Sequence, residues 1–135
     1  MKVTTGQKIV LVFVAFSIAL IGFMMRLPSA FRHYDKELHS LFYFGAALFL
    51  NLLFAQGKLL RHAAIFIMLY LFGLAIEWSQ AWSNQFFRRR IHGRFDPEDV
   101  QANLYGLVSF SALWIIATFL FWLYKKGRKK SNVPL

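Results

Sequence analysis

The sequence predicts an all-α membrane protein, a four-transmembrane-helix bundle, on three observations. Of the 135 residues, 58% are hydrophobic, against about 45 to 50% in a soluble globular domain, and a water-soluble core of this size cannot hide that much apolar surface. The apolar residues fall into four runs, each close to the roughly 20 residues that cross a hydrocarbon layer of about 30 Å. The charges stand at the ends of those runs. Lys2 and Lys8 precede the first, Lys58 and Arg61 lie between the second and third, and Lys125, Lys126, Arg128, Lys129 and Lys130 follow the fourth. A formal charge of +10 can mark a nucleic-acid binder, but such a face interleaves its cations with the core pattern. No run here is so interrupted, and no nucleic-acid partner is expected. The chain has no Cys, which excludes disulfides, thiolate metal sites and a lipoprotein anchor.

The first span covers residues 9–25. Its charged start resembles a signal peptide, yet its apolar stretch is longer than a typical signal core and residues 26–30 make a poor cleavage site, so it reads as a retained helix. The second span covers 38–55. Gly57 then breaks the chain, which predicts a tight helical hairpin into the third span, 63–82. The fourth, 100–124, follows Asp96-Pro97-Glu98-Asp99, a helix start with Asp at the N-cap, Pro in the first turn and an acid placed as in a capping box. Residues 125–135 read as a basic tail. The two longer links, 26–37 and 83–99, carry nearly all the polar chemistry.

Four spans put both termini and the Gly57 turn on one side. That side holds nine of the sixteen Lys and Arg, and the other holds Arg26, Arg32, Lys36, Arg88, Arg89, Arg90 and Arg94. Nine against seven, with the dense cationic tail beside the fourth span, orients the termini toward the cytoplasm. Trp78 and Trp82 near one end of the third span, and Trp122 and Tyr124 near one end of the fourth, fit aromatic belts at opposite interfaces.

This topology gathers Asp35, Lys36, His39, Tyr43, Glu77, Gln80, Asp99 and Asn103 into the outer half of the layer and leaves only Asn51 and flanking cations in the inner half. Asp35, His39 and Tyr43 are spaced i, i+4, i+8 on one helical stripe, Asp99 and Asn103 share a second, and Glu77 and Gln80 a third. Lipid cannot satisfy such groups, so the stripes should face one another. Glu77 is the most informative residue: a lipid-facing charge there costs about 2.5 to 3.5 kcal/mol on insertion scales. It must be protonated, or paired with Lys36, Arg94 or His39. His33, His62 and His92 read as loop or interface residues.

These residues resemble the VanZ-like family. The likeness rests on Asp35-Lys36-x-x-His39-x-x-x-Tyr43 entering the second span, Glu77-x-x-Gln80 late in the third, and Asp99-x-x-x-Asn103-x-x-Gly106 entering the fourth. The family pattern also has an arginine before the third motif, for which Arg94 is the nearest candidate and Arg90 the alternative. The resemblance implies a bacterial cytoplasmic membrane and a cell-envelope role, since the namesake is associated with resistance to the glycopeptide teicoplanin. It supplies no reaction.

Three classes of function follow. Helix N-termini of the second and fourth spans point into the outer leaflet beside Arg88, Arg89, Arg90 and Arg94, a combination that suits an anion. The expected partner is therefore a membrane lipid, anionic or lipid-linked, with Asp35, Lys36, His39, Tyr43, Glu77, Gln80, Arg94, Asp99 and Asn103 as the binding residues. An embedded hydrolase or transferase would use Glu77 or His39 as base, but there is no nucleophile motif and no Gly-rich phosphate loop, so binding is favoured over catalysis. A structural reading makes Asp35 and Asp99 helix caps and Glu77 a hydrogen-bonded clamp, in a subunit of a larger complex. No cofactor is expected, and without cysteines or a two-histidine motif no metal is expected on Asp35, His39, Glu77 and Asp99.

Overall fold

The computed structural model describes residues 3–24, 34–86 and 95–131, and its regular elements are helices. Helix α1 spans Thr5–Met24 and starts four residues ahead of the predicted run. The reason is a reciprocal capping box: the Thr4 amide donates to Gln7 Oε1 at 2.9 Å and the Gln7 amide donates to Thr4 Oγ1 at 3.3 Å, so two orphan donors are satisfied before the apolar stretch begins.

Helix α2 spans Asp35–Leu50 and continues as a π-helical turn, Asn51–Ala55. Within the widened turn Asn51 Nδ2 donates to the Ala47 carbonyl at 2.8 Å, the kind of side-chain insertion that loosens a helical ladder. The chain reverses at Gln56 (φ 50°) and Gly57 (φ 71°), both left-handed. Glycine meets that conformation without strain, but Gln56 does not. Arg61 holds the turn by donating to Phe54 O at 3.2 Å and to Gln56 Oε1 at 2.5 Å. Helix α3 spans Leu59–Ser83 and ends in a 3-10 turn, Asn84–Phe86.

Helix α4 spans Pro97–Ser131, so residues predicted as the start of a basic tail are helical. Each described cation there reaches back one turn onto an aromatic ring: Lys125 over Phe121 at 4.7 Å, Lys126 over Trp122 at 5.0 Å, and Arg128 over Tyr124 at 5.9 Å. These i, i+4 contacts support the helix beyond its apolar part. At 1.5 Å per residue its 35 residues extend about 52 Å, well past a 30 Å layer. Four of the helices are long and apolar enough to cross a membrane.

The helices run up and down in sequence, with their tightest seam between α2 and α4. A Cβ on Gly106 would overlap the Ser40 carbonyl oxygen and lie 3.0 Å from the Phe44 amide nitrogen. Only glycine lets the two backbones approach so closely, the device by which membrane helices pack without a hydrophobic drive. Tyr43, Leu50, Leu69 and Leu107 are fully buried around this seam, with Phe44 edge-on to Phe110. Helix α1 buries no residue. It lies on the outside, touching α3 through Phe16 on Phe72 and α2 through Phe23 on Phe42.

Candidate functional site

All six carboxylates of the chain stand where α2 and α4 begin and α3 ends. At that end His39, Tyr43, Glu77 and Asn103 are buried, and they come from three helices. His39 Nδ1 lies 2.9 Å from Asn103 Oδ1. A carbonyl oxygen only accepts, so Nδ1 carries the proton, and Nε2 is left with its lone pair on the side of Asp35. Asp35 Oδ1 is 4.0 Å from Nε2, and Asp99 brings a third donor atom, all three lying within 4.8 Å of one another.

Glu77 is 2% exposed and faces the bundle interior. Its Oε2 is 3.5 Å from the Asp96 amide nitrogen, while Oε1 and the Tyr43 hydroxyl are buried with no hydrogen-bond partner among the described residues. Gly73, one turn before Glu77, makes the space these groups occupy: a Cβ there would stand 2.9 Å from Asn103 Nδ2 and 3.0 Å from Tyr43 Oη.

Helix starts explain how the acids are distributed. Asp96 caps α4 as the sequence predicts, its Oδ1 accepting from the Glu98 amide at 2.9 Å. Asp99 does not close the capping box. The Asp96 amide instead points to Glu77 on α3, and Asp99 turns to Asp35 and His39. Nor is Asp35 a cap, because Tyr34 occupies that position and Asp35 is the first helical residue.

No family model, curated protein or solved structure matches this chain. The likeness to the VanZ-like family therefore stands on its three sequence motifs, and the geometry is read on its own terms. Two of the nine predicted site residues lie apart from the cluster. Lys36 is exposed and pairs with Glu98, and so is not the partner of Glu77. Gln80 donates through Nε2 to the Phe23 carbonyl at 2.6 Å, tying down the last turn of α1 where a helix leaves carbonyls unpaired. Arg94, with Arg88, Arg89, Arg90, His33 and His92, falls outside the described residues. Trp78 and Trp82 are exposed and stack in parallel with centroids 6.4 Å apart.

The opposite end holds a polar network that the sequence reading leaves out. His62 is buried rather than interfacial. Its Nδ1 is 2.8 Å from Asn51 Oδ1 and its Nε2 is 3.1 Å from Ser111 Oγ. The bond from Asn51 Nδ2 to Ala47 O fixes that amide, so His62 Nδ1 is the donor and Nε2 an acceptor, for which the single Ser111 hydroxyl hydrogen is shared with the Leu107 carbonyl, 2.8 Å from Oγ. The ring lies flat on Trp114, centroids 4.2 Å apart and 4° from parallel. The signal available beforehand was the turn itself, since reversal at Gly57 brings Asn51 and His62 level on neighbouring helices.

Proposed function

We propose that this chain is a VanZ-like protein of the bacterial cytoplasmic membrane that crosses it four times with both termini in the cytoplasm, and that it binds the head group of an anionic lipid or lipid-linked glycan at its acidic end, with a role in the cell envelope and, by the family likeness, in glycopeptide resistance. The observation that carries the reading is the pair of buried, unpartnered atoms, Tyr43 Oη and Glu77 Oε1. Each buried polar group without a partner costs about 1 to 3 kcal/mol, a cost removed where hydroxyl or amine hydrogens of a bound head group donate to Glu77 Oε1 and the head group's oxygens accept from Tyr43 Oη. The starts of α2 and α4 at the same end place partial positive charge beside it, the sequence carries four arginines shortly before α4, and the exposed Trp78–Trp82 pair suits the apolar part of a lipid.

Mass spectrometry of lipids retained by the purified chain tests this. A phosphate-bearing lipid should co-purify, and replacing Arg88, Arg89, Arg90 and Arg94 together by Gln should release it in a salt-sensitive manner, by about 1 kcal/mol per cation. Retention unchanged by that substitution would refute the anion site. Reporters fused after Leu135 and inserted near Gly57 should both read cytoplasm, and one near Asn84 the exterior.

A second reading is favoured by one contact. The His39–Asn103 bond joins α2 to α4 just above the Gly106 seam, so these two residues also clamp helices. The clamp accounts for the bonded atoms and leaves Glu77 and Tyr43 unexplained.

A further inference from the structure

We propose that Asp35, His39 and Asp99 form a binding site for one divalent first-row transition-metal ion. Their donor atoms, one from each side chain, lie within 4.8 Å of one another. Ligands at about 2.0 to 2.2 Å from a metal stand roughly 3 to 3.5 Å apart, so the widest pair needs to close by at most about 1.3 to 1.8 Å. Asp35 is free to make that movement, with 38% of its side chain exposed. Two carboxylates and one imidazole form an oxygen-rich mixed set, suited to ions of the Mn2+ or Zn2+ type and not to thiolate-seeking ones.

The histidine is already oriented for this role. Its Nδ1 proton is engaged by Asn103 Oδ1, which leaves the Nε2 lone pair toward Asp35, the arrangement in which a second group sets the tautomer of a metal-binding histidine. Among the described residues Lys36, the neighbouring cation on α2, is paired with Glu98 and with none of the three donors. Lone pairs on three facing groups repel unless a proton or a cation lies between them.

An independent observation points to a ligand. Glu77 is buried at the same end of the bundle, and its Oε1 has no partner among the described residues. Glu77 stands outside the set of donor atoms that lie within 4.8 Å of one another, and its open oxygen is suited to accept from water bound to the ion. The inference goes beyond head-group binding and stands without it, since metal uptake is measured directly whether or not lipid is retained.

The experiment is equilibrium dialysis of the full-length chain in detergent, stripped with EDTA and exposed to Zn2+ or Mn2+, with Mg2+ for comparison and bound metal counted by mass spectrometry. One equivalent of Zn2+ or Mn2+ should bind, and Mg2+ should compete poorly. Asp35→Asn and Asp99→Asn should each weaken binding about tenfold or more, while Glu37→Gln, on an exposed neighbouring acid, should change nothing. Pulsed EPR of the Mn2+ form should show nitrogen coupling that is lost in His39→Gln. Asparagine at the exposed Asp35 position leaves folding intact, so this variant decides the matter even if changes at His39 unfold the chain. Substoichiometric uptake, uptake indifferent to Asp35→Asn and Asp99→Asn, or 15N spectra showing both His39 nitrogens protonated in the metal-treated protein would overturn the proposal.

Discussion

The two ends of the bundle each bury a histidine bonded to an asparagine, and they differ in what surrounds the pair. At the basic end, His62 has Asn51 on one nitrogen, Ser111 on the other and Trp114 against its face, and no carboxylate stands near it. At the acidic end, His39 has Asn103 on one nitrogen, Asp35 on the side of the other and Asp99 nearby, while Tyr43 and Glu77 keep unpartnered atoms among the described residues. A closed network in a low-dielectric interior holds helices together. An open one is weaker as glue than its residue count suggests, and the open groups are where a ligand can act. Identical residue types thus stand in a bonded network at one end and beside open polar atoms at the other, where a ligand is proposed to bind.

The seam between the ends should show the largest effect. Gly106→Ala places a methyl group into the Ser40 carbonyl oxygen, which is backbone and cannot turn aside. Overpacking of this kind costs about 1 to 3 kcal/mol, and both networks lose their alignment because α2 and α4 must move apart. Thermal unfolding in detergent should show a clear fall in midpoint. An unchanged midpoint would mean that the helices do not approach as closely as described, and the contrast between the two ends would lose its frame.

Next in size is His62→Leu at the basic end. The change leaves Asn51 Oδ1 without its donor and Ser111 without its ring partner, at about 1 to 2 kcal/mol, and it removes the flat contact on Trp114. Unfolding midpoint is again the measurement, with indole fluorescence as a local report on Trp114. If His62→Leu proves neutral, the basic-end network is not the structural clamp that its hydrogen bonds suggest.

How much of this was legible beforehand follows from which signals are local. The four apolar runs, the Gly57 reversal and the Asp96 cap are written in short windows, and the structure places helices, turn and cap where those windows do. The inward side of Glu77 was legible too, because lipid admits no cheaper answer for a carboxylate. Helix ends were less so: the Thr4–Gln7 box and the cation–ring pairs after Phe121 lie outside the apolar runs that a hydropathy reading follows. His62 was misread for a related reason. Its partners, Asn51 and Ser111, sit 11 and 49 positions away, and a lone histidine near a basic turn carries no local sign of either. Lys36 and Gln80 were drawn into the cluster by their motif neighbours, but helical angle turns Lys36 outward to Glu98, and the free carbonyl at the end of α1 captures Gln80.

Glu77 should show the smallest effect on stability and the sharpest division between the ends. Among the described residues its carboxylate has one long contact, 3.5 Å from the Asp96 amide, and an oxygen with no partner. Breaking that contact loses a few tenths of a kcal/mol, while removing a buried, unsatisfied carboxylate recovers its desolvation cost, so the two changes oppose each other. Glu77→Leu should therefore leave the unfolding midpoint unchanged or raise it, by up to about 1 kcal/mol, in contrast to the loss expected for His62→Leu. Glu77→Gln keeps the shape and the acceptor for Asp96 but removes the charge, and it too should leave stability alone. If the acidic end binds a ligand, both substitutions should nevertheless change what the purified chain retains. A clamp differs in the Leu variant alone, which it makes costly while Gln stays tolerated. A Glu77→Leu chain that unfolds as readily as His62→Leu would make the two ends alike, and the acidic cluster would then be a second helix clamp.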